Sequence, residues 1–233
     1  MEQDALDSTK NVLYQLNVHI KSSIINCSLA DNLFCRKVIP ILFLTLFAAI
    51  DGGGLSPKNR KLCALGLFFG AIGDVIIGVS KEGLIPGALA FGIGHFFYMS
   101  QFLSRPLKIF WPLLYIITAW GSIIGVFVML PAASEHPIAV SIMVTYSLIL
   151  SSCLVITGSH YINRKTGDED KGLYLRFIGY ALFYTSDSVL VLADVGFRVP
   201  FAEVIILSTY YAAQYLILCG NIHSGLYVKA KHA

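Results

Sequence analysis

"FGAIGDVIIG", residues 69–78, sets one carboxylate, Asp74, among glycines and apolar side chains alone. At the centre of a membrane helix an aspartate costs about 2.5 to 3.5 kcal/mol on insertion scales, so its presence asks for a use. The stretch lies in an apolar run, 61–79, close to the roughly 20 residues that a helix needs to cross about 30 Å of hydrocarbon. Six more runs surround it: 38–51, which is short, then 84–104, 109–130, 137–158, 172–195 and 200–220. Composition points the same way. Of 233 residues 56% are hydrophobic and 13% charged, with a mean hydropathy of +0.70; soluble domains carry roughly 25% charged residues. The expected fold class is therefore all-α: a polytopic transmembrane helical bundle of seven to eight spans with an internal polar cavity.

The connections between runs are brief and hold breakers, such as Gly52, Gly53, Gly54 and Pro57, or Arg105 and Pro106, so consecutive helices should be antiparallel neighbours. Residues 37–222 form the expected transmembrane domain, and 223–233 a short basic cytosolic tail. "NRKTGDED", residues 163–170, reads as a solvated loop. Residues 1–36 differ. There "NVLYQLNVHIKSSIINCSLA" spaces Leu13, Leu16, Ile20 and Ile24 at three and four positions but mixes in Lys21, His19 and amides. An amphipathic amino-terminal segment, or a degenerate first span, is expected. Glu2, Asp4 and Asp7 stand where a signal peptide would carry basic residues.

Basic residues set the orientation. Lys58, Arg60, Lys61, Arg105, Lys108, Arg164, Lys165, Lys171, Lys229 and Lys231 fall on one side; Lys10, Lys21, Arg36, Lys37, Lys81 and Arg198 fall on the other. The richer side holds the carboxyl terminus, which the positive-inside rule assigns to the cytosol. Cys63, Cys153 and Cys219 lie in apolar runs as small buried thiols, while Cys27 and Cys35 could pair in an oxidising lumen. No Cys or His spacing suits a metal, so neither metal nor other cofactor is expected. The net charge of +3 comes without a basic cluster, which argues against nucleic acid as a partner.

Polar residues inside spans carry the functional information, since each needs a partner or a wet cavity. Gly66, Gly70, Asp74 and Gly78 recur every four residues on the second run. The third run brings His95; the sixth brings Tyr180, Tyr184, Ser186, Asp187 and Asp194; the seventh brings Glu203, Tyr210, Gln214 and Asn221. Counted from the ends of their runs, Asp74 and Asp187 lie about 7 and 12 Å deep and could share one layer. His95, Tyr184, Ser186, Tyr210 and Gln214 are the expected lining of a cavity between them. The competing reading makes these groups glue between helices.

The segments "AIGD" (71–74), "FGIGHFFY" (91–98), "GYALFYTSDSVL" (179–190) and "STYYAAQYLI" (208–217), in that order and after "RKVIPILFL" (36–44), resemble the YhhN family of membrane proteins. The likeness runs from about Lys37 to Ile222, and departs at the amino end, where the family usually has a first hydrophobic span. The resemblance implies a lysoplasmalogenase of the membrane, with an endoplasmic reticulum location expected, that hydrolyses the vinyl ether of a lysophospholipid substrate. The products would be a fatty aldehyde and glycerophosphoethanolamine or glycerophosphocholine. The family's two intramembrane aspartates match Asp74 and Asp187. The chemistry agrees: a vinyl ether is protonated on carbon to give an oxocarbenium ion that water captures, and two carboxyl groups can divide those tasks as they do in glycoside hydrolysis. Burial favours the neutral form of a carboxylic acid, so one of the pair can hold the proton it gives. The alternative is a proton-coupled transporter with Asp74, Asp187 and Glu203 as relay, although no internal repeat is evident.

Overall fold

The computed structural model describes residues 38–50, 55–80, 82–103, 106–165 and 170–231. The expected segment 1–36, with Cys27 and Cys35, lies outside them. Among the described residues there are seven helices and no strand: α1 (Val38–Ile50), α2 (Pro57–Val79), α3 (Leu84–Phe102), α4 (Trp111–Ala132), α5 (Pro137–Ile162), α6 (Lys171–Asp194) and α7 (Ala202–Lys231). Each expected run coincides with one of them.

Local chemistry sets the starts. The Ser56 hydroxyl accepts from Asn59 N at 3.3 Å ahead of Pro57, and the Asp170 carboxylate accepts from Gly172 N at 2.9 Å ahead of α6. Side-chain caps of this kind satisfy amides that have no partner within the helix. Pro112 and Pro137 occupy the first positions of α4 and α5, where a missing N–H costs nothing.

Five helices, α2, α4, α5, α6 and α7, are long and apolar enough to cross a membrane. α1 has only 13 residues among those described, and α3, at 19, carries His95, Ser100 and Gln101. The outside of the bundle is apolar: Phe43, Phe96, Tyr115, Phe127 and Leu148 are all exposed. Such a surface suits lipid, which asks for no polar coat.

α2 packs along α3 and α6 along α7, while α5 touches α3, α4 and α6. Small residues permit the two tightest crossings. A Cβ at Gly94 would stand 2.8 Å from the Gly66 carbonyl, and one at Gly172 would stand 2.3 Å from the Gly220 carbonyl. Close backbone approach replaces the hydrophobic drive that lipid removes between helices.

Two boundaries differ from the sequence reading. The last helix continues through the expected tail to Lys231, because Ser224 is buried and bonded to the start of α6: its hydroxyl donates to Asp170 and accepts from Arg176 at 2.8 Å. Asp170, expected in a solvated loop, is itself only 3% exposed. A carboxylate so placed needs a cation and donors beside it, and this junction supplies both. α4 also holds a wide turn, Gly125–Met129, ahead of Pro131.

The α2–α3 crossing can be tested directly. Gly94→Ala should destabilise the protein by about 1 to 3 kcal/mol through the clash with backbone. Gly125→Ala, where nothing lies within 4 Å of the added carbon, should leave the melting temperature in detergent near that of the parent.

Candidate active site

The carboxylates of the two spans are each met by a tyrosine from a neighbouring helix. Tyr210 on α7 donates its hydroxyl to Asp74 Oδ2 at 2.7 Å, and Tyr146 on α5 donates to Asp187 Oδ2. Counted from one end of the bundle, Asp74 and Asp187 lie five and seven residues inside α2 and α6, and Tyr210 and Tyr146 eight and nine inside α7 and α5. At 1.5 Å per residue all four fall in a layer about 8 to 14 Å deep.

Aromatic rings join the two pairs. Phe183 meets Tyr210 edge to face at 5.4 Å between centroids and His95 at 4.5 Å; His95 in turn lies 6.1 Å from Tyr146. Phe91 completes the group, 5.9 Å from Tyr210. His95 is 2% exposed, and neither ring nitrogen has a hydrogen-bond partner among the described residues. Its ring packs as an aromatic spacer between the tyrosines.

Behind Asp74 the polar contacts continue. Gln214 Nε2 donates to the Tyr210 hydroxyl at 3.4 Å, and Gln214 Oε1 accepts from Tyr98 at 3.1 Å. Two helical turns further along α7, Asn221 donates to Cys63 Sγ, which donates to Gln101 Oε1, each at 3.3 Å. Cys63 and Cys153 are free buried thiols, and Cys219 is free and half-buried.

A cleft of about 50 Å³, enough for a few waters, opens beside Asp187 between α4, α5 and α6. Tyr146, Tyr184, Ser188 and Gly121 line it. It adjoins a cavity of about 650 Å³ that reaches the bundle end at Glu82 and Asp194, the two sharing Met129, Met143 and Val191.

The residues singled out from sequence therefore divide. Asp187 and Tyr184 reach the cleft. Asp74, Tyr210 and Gln214 form one bonded cluster, and His95 lies between that cluster and Tyr146. Ser186 does not turn to a carboxylate: its hydroxyl donates to the Ile206 carbonyl at 3.0 Å and holds α6 to α7. Glu203 is exposed in the first turn of α7. Tyr146 was not singled out, although a phenol inside an apolar run is itself a polar group that needs a partner. Its neighbours hid it, for Ser141, Thr145, Ser152 and Thr157 bond carbonyls of their own helix four residues back and so look like ordinary span residues. Among the described residues, no three His, Cys, Asp or Glu side chains gather as a metal site requires.

Apolar helices around internal carboxylates define an integral membrane protein of the helical-bundle class. The chain belongs to the YhhN family, whose sequence pattern matches residues 34–221. Its relatives include lysoplasmalogenase TMEM86B of Mus musculus, 31% identical over 189 residues covering 81% of this chain and 74% of that one. Lysoplasmalogenase TMEM86A of Bos taurus is 29% identical over 195 residues, and that of Homo sapiens 27% over 197; each comparison covers 81% of this chain and 77% of the relative. No solved structure matches the chain.

The Gln214 contacts give a stability prediction. Gln214→Leu leaves the buried Tyr98 hydroxyl without its acceptor and should cost about 1 to 2 kcal/mol. Tyr184→Phe, at a half-buried position, should shift the detergent melting temperature by much less.

Proposed function

We propose that this protein is a lysoplasmalogenase that hydrolyses the vinyl ether of a lysophospholipid within the membrane, with Asp74 and Asp187 as its acid–base pair. The observation that carries the reading is the layer of two carboxylates, each held by a tyrosine hydroxyl, with one of them beside a cleft that adjoins a cavity of about 650 Å³. Cavities of that size accept ligands of a few hundred daltons. Membership of a family whose relatives bear that enzyme name supports it as well.

In the proposed reaction one aspartic acid gives its proton to the vinyl carbon remote from the ether oxygen, and the adjacent carbon becomes an oxocarbenium centre. The other aspartate, as carboxylate, faces that positive charge and takes a proton from the attacking water. The resulting hemiacetal breaks its carbon–oxygen bond to give the fatty aldehyde and frees the glycerol hydroxyl. One water is consumed and the catalytic protons return. The Tyr146 and Tyr210 hydroxyls orient the carboxylates and stabilise whichever one is ionised. Tyr184 and the cleft beside it would take the substrate's reacting segment, while His95 and Gln214 act through the tyrosines they contact.

We also infer that α1 and α3 cross the bilayer with the other five helices, with the carboxyl terminus cytosolic in the endoplasmic reticulum membrane. The charge asymmetry of the loops supports that orientation, and the packing of His95 against rings inside the bundle keeps its polar side chain from lipid.

Purified protein supplied with lysoplasmenylethanolamine should release a long-chain aldehyde. Asp74→Asn and Asp187→Asn keep size and hydrogen bonding, so each variant should remain monodisperse with a melting temperature near the parent's. Each should nevertheless lose at least about a hundredfold in turnover, since general acid–base groups contribute 10² to 10⁴ in rate. Near-parental turnover in both variants would sink the mechanism. Tyr146→Phe, which removes the donor to Asp187 but leaves its carboxyl, should cost about tenfold in kcat.

A further inference from the structure

At the other end of the bundle from the carboxylates, the close of α5, the segment leading into α4 and the close of α7 border an open cavity of about 540 Å³. Lys108, His160, Asn163, Arg164, Lys165 and Lys231 line it, and among the described residues none of its lining side chains is acidic. Tyr146 and His160 stand fourteen residues apart on α5, which is about 21 Å along the axis.

The walls are held in place by named contacts. Asn163 Nδ2 donates to the Lys108 carbonyl at 2.7 Å, and the Ser159 hydroxyl accepts from Phe110 N at 3.0 Å, so the entry to α4 is bound to the end of α5. Arg164 donates to the Tyr161 carbonyl at 2.8 Å, and its guanidinium lies 4.2 Å over the Tyr161 ring, which stacks on Phe177. That single bond leaves most of the guanidinium's five donors for another acceptor. Part of the charge here answers the carbonyl ends of α5 and α7, each equivalent to about −0.5. The four cations of Lys108, Arg164, Lys165 and Lys231 exceed that demand by roughly three charges.

We propose that this cavity binds a phosphate monoester, carried either as the headgroup of an anionic lipid or by a soluble phosphorylated compound. Guanidinium and ammonium donors with an amide beside them, and no carboxylate among the described lining residues, make up the donor set that a phosphate dianion calls for. The volume suits a headgroup or small metabolite. Leu173 and Val228 give the wall an apolar side next to the lipid-facing surface. The site is separate from the proposed hydrolysis. Only a glycerol unit divides the phosphate of a lysoplasmalogen from its vinyl ether, too short a link for one molecule to span from here to the Asp187 layer.

The test uses the full chain in phosphatidylcholine nanodiscs at fixed ionic strength, read by melting temperature. One arm raises the fraction of phosphatidate in the disc; the other titrates glycerol 3-phosphate into plain discs. A saturable rise is expected in at least one arm. A response to phosphatidate alone assigns the lipid headgroup, and a response to glycerol 3-phosphate assigns the soluble source. Lys108→Gln combined with Arg164→Gln should weaken the apparent affinity at least about tenfold. Lys58→Gln combined with Lys61→Gln, exposed cations at the same bundle end but outside the cavity, should leave it unchanged. Lys231→Gln, at an exposed helix end, supplies a single variant that spares the fold if the double variant melts early without ligand. No saturable response in either arm, or equal weakening by the two outside substitutions, overturns the proposal.

Discussion

A carboxylate carried into an apolar bundle must be met there by a donor, and the interior of this protein is arranged around two such meetings. Tyr210 reaches Asp74 and Tyr146 reaches Asp187, so α7 is tied to α2 and α5 to α6 at one depth. Water offers no alternative partner in hydrocarbon, and each unsatisfied polar group there costs several kcal/mol. The rings of Phe91, His95 and Phe183 fill the space between the tied pairs. They keep solvent out of the space between the pairs, which strengthens the electrostatic effect of each hydroxyl on its carboxylate, while the cleft leaves Asp187 open to water.

The same demand for internal partners organises the other end. The Ser224 hydroxyl links Asp170 to Arg176 where α6 begins, next to the crossing of Gly172 and Gly220. The α6–α7 pair is thus fixed by backbone contact and by a buried polar junction close together. Neither feature draws on apolar side chains.

Much of this was legible in the sequence, and the remainder has a physical reason for being hidden. Long apolar runs announce helices because length and hydropathy suffice, and the four-residue recurrence of Gly66, Gly70 and Asp74 marks a face that must meet something close. The seventh run likewise showed Tyr210 and Gln214 on one side. Partner choice was not legible. Whether a span hydroxyl bonds its own carbonyl four residues back or another helix depends on packing, and Thr157 and Ser186 illustrate the two outcomes. Tyr146 escaped notice for that reason. Asp170 was read as solvated because charge next to Asp168 and Glu169 resembles a loop, and only the fold brings Arg176 and Ser224 around it.

α4 stands apart from the rest. Only 6% of its apolar window is buried, against 28% to 33% in the other four long helices, and its wide turn at Gly125–Met129 gives one wall to both the cleft and the larger cavity. An element that buries so little is among the first to open locally. On the proposed reading, with that lipid-facing wall the one to yield, a guest bound for Asp187 would enter sideways out of the bilayer. Its supply is then counted per unit of membrane area, and diluting it with inert phospholipid would slow its arrival even when the bulk concentration is unchanged.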